Sequence, residues 1–556
     1  MLQPAKKRFG IGSTGLANVS WRWWVALIWS GSLVLLFNHL GALPLRDWDE
    51  ALVARVAEEM SLRPFPANLL PTFWGDPYLN KPPLLHGLIA LAIGLWRGAA
   101  EGAMPRVVPP EWVVRAIPAL GSSLIVPLVA LLQWKLRPGD QRAAICTAAV
   151  ALTLLPLMRH GRLAMLDGSL ISAMALQWWA LLSLPQDPEA AQQRNAGLIA
   201  GGAASAILLL KAPVSLPLLA GSCCLLAWER RWRVRQWLPL LGWIAIGLSP
   251  GLLWHSWHLL ERGPEALTMW GRQGLARVVS SVEGHSGGIT VPVVEVLEGG
   301  WPWLALWPMA MLTALQQRHT RWGFWSLGFT ALTAAAVLPL RTQLPWYSHL
   351  LWPSFALSVG PLLAQLIDGN VSTKGLARAL VRGVPWLWVV AGAGLLAAQG
   401  QLNVPATVTL PAGAALVLGG ALLSSGREPW RQGGATALVV LLWVALLGLF
   451  SSKVWLWELA ETWPVKPAAA WLQPALNRSP QLPILLMEAE RPSLNWYLGQ
   501  ELTSSSKARR QRRTKHQPQL VLSHEDPTRP EQTCTKERQA ATSTPQGPDL
   551  YRCDPR

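Results

Sequence analysis

Charge is scarce in this chain. Only 14% of its 556 residues are Asp, Glu, Lys or Arg, whereas 51% are hydrophobic and 34 are Trp. So little charge over such a length excludes a string of soluble domains. No fixed-period repeat is visible, which removes solenoids and propellers. The first apolar segment lacks the small-residue pattern of a cleaved signal peptide and is too long for one, so it reads as a retained span.

Long apolar runs are what the chain has instead. A bilayer core of about 30 Å needs roughly 20 mainly apolar residues per helix. Such runs recur at 22–42, 112–134, 142–158, 166–184, 196–210, 212–228, 237–258, 297–315, 323–340, 347–367, 384–400, 405–423 and 435–452. Thirteen spans predict an all-α polytopic membrane protein. Lys and Arg collect in alternate loops, "AKKR", "KLRPGDQR", "ERRWRVRQ", "QQRHTRW", "STKGLARALVRG" and "GREPWRQ", with only "PQDPEAAQQR" weak. Basic loops mark the cytoplasmic side. The N-terminus, 1–21, is therefore expected inside a plasma (inner) membrane, and the first loop, 43–111, outside with everything beyond about Lys453. The same loops hold much of the net charge of +17, so no nucleic-acid partner is implied.

The membrane domain accordingly runs over 22–452, followed by a small outer α/β domain at 453–505 containing "LPILLMEAE" and "PSLNWYLGQEL". Residues 506–556 are polar and carry "KARRQRRTKH", which reads as a disordered basic tail or as a contact for anionic lipid headgroups. Cys146, Cys223 and Cys224 fall in spans and read as inert. Cys534 and Cys553, in the tail, are free to pair if that tail faces an oxidising compartment.

Five acids lie in "RDWDEALVARVAEEM", 46–60, directly after the first span. Leu52, Val53, Val56, Ala57 and Met60 approximate one apolar stripe, which predicts an amphipathic helix at the membrane interface. The plain reading of Asp47 and Glu50 is a capping box. Other ionisable and polar residues gather in the loops assigned to the same outer face: Lys81 in "NKPPLLHG", Arg162 and Asp167 in "RHGRLAMLDGS", Arg272, Arg277, Glu283 and His285 in "GRQGLARVVSSVEGHSGG", and Arg341, Gln343, Tyr347 and His349 in "RTQLPWYSH". Ionisable groups concentrated on one membrane face point to a functional site, although each could instead anchor its helix at the headgroups.

In order, "DEALVARVAEEM", "KPPL", "RLAMLD", "LKAPV", "EGHSGG", "TQLPWY" and "RPSLNWYLGQEL" resemble the motifs of the GT-C membrane glycosyltransferases, specifically the lipid A aminoarabinose transferase and protein O-mannosyltransferase superfamily. The resemblance covers about residues 20–500. Asp49, Glu50, Ala57, Glu59 and Met60 keep the first motif. Leu52, Val53 and Arg55 replace its Arg, Tyr and Glu, and Gln343 replaces the Lys of the last loop motif.

That resemblance implies an inverting transfer of a sugar from a polyprenyl phosphate carrier to a glycolipid or protein acceptor at the outer face. Asp49 would be the general base, with Glu50 orienting the acceptor or Lys81. Lys81 and Arg277 would contact the phosphate, helped by Tyr347. Arg162 and Asp167 would brace the pocket as an ion pair, and Lys211 would be structural or touch the lipid phosphate. His285 lacks the neighbours that a zinc site needs, so neither a catalytic metal nor a cofactor is expected. The alternatives are a transporter or flippase of a lipid-linked saccharide, which would call for internal symmetry and broken helices near the midplane, and a structural scaffold.

Overall fold

The structure is a computed structural model. It describes residues 20–99, 108–281, 287–373, 375–459, 463–478, 484–487, 490–504, 519–524, 527, 532–538 and 548–555. The chain forms two compact units. The first comprises Met1–Leu40, Leu79–Leu85 and Ala116–Trp455; the second comprises Gly41–Tyr78, His86–Arg115 and Leu456–Arg556.

The first unit is a helix bundle. Each of the thirteen apolar runs contains helix. Among the described residues, seven helical segments are long and apolar enough to cross a membrane: Glu111–Leu136, Ala212–Arg230, Val234–Val279, Pro345–Asp368, Gly375–Ala397, Ala406–Leu423 and Glu428–Phe450. An eighth arises if Gln141–Thr153 and Leu155–Gly161, bent by 57°, form one broken span. The bend falls where Leu154 is extended and Pro156 removes a backbone donor. The other expected spans fail on length or polarity. Asp167–Leu182 has 16 residues, and Trp21–Phe37 and Arg321–Val337 have 17 each, against roughly 20 for a full hydrocarbon core.

Lipid offers no hydrophobic drive between helices, so close backbone approach has to supply the packing. Helices Ala190–Leu210 and Val234–Arg262 meet in this way. A Cβ added to Gly201 would lie 2.2 Å from the carbonyl oxygen of Ile244, and one on Gly247 would lie 2.6 Å from that of Leu198. Buried Trp fills the rest. Trp178 stacks on Phe329 at 3.7 Å, and Trp178, Trp303 and Trp388 donate their indole N–H to Ser222, Thr153 and the Pro302 carbonyl. An indole is large and apolar but carries one donor, so a partner in the bundle removes the cost of burying it.

The second unit contains the acidic first-loop segment. Asp47–Ala51 forms one wide π-type turn that leads into helix Leu52–Leu62. This helix is enclosed more fully than an interfacial helix with one apolar stripe. Glu58 and Glu59 are buried along with Val53, Val56, Ala57 and Met60. Arg55 and Arg97 pair with the two carboxylates, and Glu59 also accepts from Thr72 at the start of a short hairpin, β1 (Thr72–Phe73) and β2 (Asp76–Pro77). Helix Leu84–Ala99, within the first loop, went unforeseen.

The C-terminal part of this unit combines helices Val465–Arg478 and Pro492–Leu498 with a five-stranded sheet built from β3 (Ile484–Leu486), β4 (Thr503–Ser504), β5 (Gln519–Ser523), β6 (Gln532–Arg538) and β7 (Asp549–Pro555), in the order β4-β3-β5-β7-β6. β3 runs parallel to both β4 and β5, and β7 is antiparallel to β5 and β6. This corrects the expectation of a tail without structure from 506, and it extends the C-terminal α/β domain to the last described residues. Strand alternation explains why. Leu520, Leu522 and Leu550 join Ile484, Leu486 and Leu472 on one face, while Val521, Tyr551 and Cys553 cluster on the other. Cys534 and Cys553 are directly opposite on β6 and β7 and form a disulfide. The basic run at 507–516 lies outside the described residues.

Candidate active site

The acidic turn of the second unit sorts its three carboxylates by environment. Asp47 accepts from Arg491 Nε at 2.6 Å and from the Ser493 backbone N–H at 2.9 Å, with the Ser493 hydroxyl as a third donor. Glu50 has no exposed surface and meets Arg115 in a bidentate pair, Nε to Oε1 at 2.7 Å and Nη2 to Oε2 at 2.6 Å. It also accepts the Arg46 backbone N–H. The capping box formed by Asp47 and Glu50 is therefore absent, because Asp47 is held by helix Pro492–Leu498 and the preceding Arg491. Asp49 differs from both. It is only partly buried, beside an exposed Trp48.

Neighbouring contacts hold this turn. The Arg115 guanidinium donates to the carbonyls of Leu43 and Pro44, and the Leu45 N–H donates to the Tyr497 hydroxyl at 2.9 Å. Tyr497 in turn donates to Glu111 at 2.7 Å. Burial first, and Glu111 second, push the Tyr497 phenol far above its ordinary range, so it remains a proton donor. The sequence reading missed Arg115 and the roles of Arg491 and Ser493. Only the match of "RPSLNWYLGQEL" to a family motif hinted at them.

In the first unit a second polar cluster lies among helix ends. Arg277 and Tyr347 are both buried, and Arg277 Nη1 donates to the Tyr347 hydroxyl at 2.7 Å while Nη2 donates to Gln273. The Lys211 ammonium sits 4.2 Å from the centre of the Tyr347 ring and 3.1 Å from Asp167 Oδ1. Lys211 can reach both because it occupies an extended break between helices Ala190–Leu210 and Ala212–Arg230. The Arg277 carbonyl accepts from the backbone N–H groups of Arg341 and Thr342, which ties the loop before Tyr347 to the Arg277 helix. Two cations around one phenol and one carboxylate leave the cluster one positive charge in excess. Since its oxygen already accepts from Arg277, the phenol has its own proton to offer a ligand.

Two expectations change here. The ion-pair partner of Asp167 is Lys211 rather than Arg162. Arg162 is buried with its guanidinium 4.6 Å from the Phe450 ring and 4.7 Å from that of Trp455, and it donates to the Asn38 carbonyl. Gln343 has a structural use, donating to the carbonyls of Val337 and Leu340 at the end of helix Arg321–Val337. Lys81 is partly exposed on the turn before helix Leu84–Ala99. His285 and Glu283 lie outside the described residues. Among the described residues no group of three His, Cys, Asp or Glu is arranged to hold a metal ion.

Comparison with solved structures decides what this arrangement of helices is. ArnT from Cupriavidus metallidurans in the apo state superimposes with a TM-score of 0.68 at 18% identity, covering 96% of this chain and 98% of that one. The fold is GT-C. ArnT from the same organism bound to undecaprenyl phosphate matches this GT-C chain with a TM-score of 0.66 at 19% identity, over 95% and 98% of the two chains. The arabinofuranosyltransferase AftD from Mycobacteria matches with a TM-score of 0.52 at 14% identity, over 97% of this chain and 40% of its own. Residues 74–260 match the family model of dolichyl-phosphate-mannose-protein mannosyltransferase, an interval that includes Lys81, Arg162, Asp167 and Lys211. No curated protein matches the sequence.

Proposed function

We propose that this GT-C protein is an inverting glycosyltransferase that moves a sugar from a polyprenyl phosphate carrier to a hydroxyl or phosphate of a glycolipid or protein at the outer face of a plasma membrane. The observation that carries the reading is the set of buried Arg277, Tyr347 and Asp167 with the partly exposed Lys211. It offers positive charge and a phenolic donor to a phosphate, and the GT-C structure of ArnT holds undecaprenyl phosphate.

The acceptor oxygen attacks the anomeric carbon as the bond from that carbon to the phosphate oxygen breaks, and the acceptor proton passes to Asp49. A hydroxyl is a weak nucleophile near neutral pH, and a positioned carboxylate contributes roughly 10²- to 10⁴-fold. Asp49 is assigned this task on its partial exposure, whereas Asp47 and Glu50 are buried against Arg491, Ser493 and Arg115. Glu50 acts through Arg115, keeping the turn in shape. The phosphate leaves with an added negative charge and needs no protonation if cations meet it. Arg277 and Lys81 supply those cations, Tyr347 donates a hydrogen bond, and Lys211 with Asp167 adds charge behind the phenol. Arg162 supports the bundle. His285 keeps a supporting role in the loop. None of the matches reported above is to a transporter, which leaves that alternative without support.

The test is transfer of radiolabelled sugar from a polyprenyl phosphate donor in reconstituted membranes, wild type beside Asp49→Asn. A loss of at least about 100-fold with melting temperature and donor binding unchanged supports the base assignment. Equal turnover refutes it.

A further inference from the structure

The helices of the first unit enclose a second basic site that the proposed reaction does not use. It is a pocket of about 320 Å³ at the loops around Lys135, Leu184, Arg230 and Arg321, lined also by Trp134 and Pro138. Its two arginines are there for a structural reason. Arg230 Nη2 donates to the Leu184 carbonyl at 2.6 Å, and Arg321 donates to the carbonyls of Leu182 and Lys135. Those carbonyls close the helices Asp167–Leu182 and Ile125–Leu136, where the last turn has no internal donors left.

That role does not account for the charge. Glu229 serves both arginines, with Oε1 2.9 Å from Arg321 Nε and Oε2 3.3 Å from Arg230 Nε. Lys135 brings a third cation to the same pocket. Among the described residues no carboxylate pairs with its ammonium, and Arg321 repels it. Three cations against one carboxylate leave two positive charges in excess in a partly buried place, an arrangement that favours a bound anion.

We infer that this pocket takes the phosphate of an anionic phospholipid headgroup, with Lys135 as the direct ligand and Arg230 and Arg321 as the fixed positive wall. Two features favour a lipid. The walls beside the cations are apolar, with Trp134, Pro138 and Leu184 available to a glycerol backbone and acyl root. The pocket also opens among the loops whose Lys and Arg excess assigns them to the cytoplasmic side, where anionic headgroups are enriched and basic pockets between helices bind them. The inference stands independently of the transfer reaction, since it uses none of the residues assigned to that chemistry.

The test uses the full-length protein, purified and examined by native mass spectrometry in lipid discs containing phosphatidylglycerol and phosphatidylcholine, with sugar transfer not among the readouts. Wild type is expected to retain phosphatidylglycerol, and Lys135→Glu to retain it at least about tenfold less, as a charge reversal beside an anionic headgroup should produce. Lys135→Gln should fall between them. The Lys135 ammonium holds no carboxylate, so both variants should keep the wild-type melting temperature in phosphatidylcholine alone, and that measurement separates loss of the lipid from loss of the fold. Equal phosphatidylglycerol retention by wild type and both variants overturns the site. Protection by millimolar inorganic phosphate, without preference for phosphatidylglycerol, overturns the lipid as its occupant.

Discussion

Asp47 and Arg491 stand 444 residues apart in sequence and form a buried pair, carboxylate Oδ2 to guanidinium Nε at 2.6 Å. Both side chains are over nine-tenths buried. The Arg491 guanidinium also lies 4.2 Å from the Trp463 ring. The acidic turn and the C-terminal α/β domain are therefore joined within one compact unit.

Removing one partner of such a pair leaves the other charge buried and alone. Arg491→Met is expected to destabilise the second unit by about 3–5 kcal/mol, and the double variant Asp47→Asn with Arg491→Met by less than the sum of the two single changes. Hydrogen exchange of residues 44–51 and 491–498 reads this directly. Unchanged protection in Arg491→Met would show that the pair is dispensable.

Glu50 and Asp49 are adjacent, yet they should fail differently. Glu50→Gln breaks the bidentate contact with Arg115 and should loosen the turn, with Arg115→Lys unable to restore it because an ammonium cannot reproduce the fork. Asp49→Asn, at a partly exposed position, should cost less stability than Glu50→Gln and lose transfer. Melting curves paired with transfer rates distinguish the two, and a Glu50→Gln variant of full stability but no activity would move the chemistry to Glu50.

In the first unit, Tyr347→Phe removes the phenolic donor and keeps the ring against Lys211. It should lower kcat/KM for the polyprenyl phosphate sugar by about tenfold. Arg277→Met should lower it by about 10²- to 10³-fold, since an ionic donor to a developing phosphate charge is lost. Transfer assays over a range of donor concentration check both values.

The Cys534–Cys553 bridge closes a stretch of 19 residues between β6 and β7. By chain entropy such a closure stabilises the folded sheet by about 3 kcal/mol. Replacing both cysteines by Ser should therefore increase proteolysis within 519–555 while helices of the first unit stay protected. Limited proteolysis followed by mass mapping measures it.

Much of the architecture was legible in the linear chain. Apolar runs located the long helices of the bundle, because a membrane span is a local property of composition, whereas the short helix Ala276–Val279 and most of Thr290–Gly299 fell between them. The motif order pointed to GT-C. The β5–β7 strands were not legible. Their segments are rich in Ser, Thr, Gln and Arg, and only alternation too short to separate from chance marks Leu520 and Leu522 for one face and Val521 for the other.

The sequence by itself determined that this is a multi-span membrane protein with an acid-rich first loop and a motif order like that of polyprenyl-dependent transferases. These follow from composition and from neighbours along the chain. Only the tertiary structure decided which acids are already taken. Asp47 goes to Arg491, Glu50 to Arg115 and Asp167 to Lys211, at separations of 444, 65 and 44 residues. An ion pair depends on distance in space, and no periodicity or spacing in a sequence encodes a contact between segments so far apart.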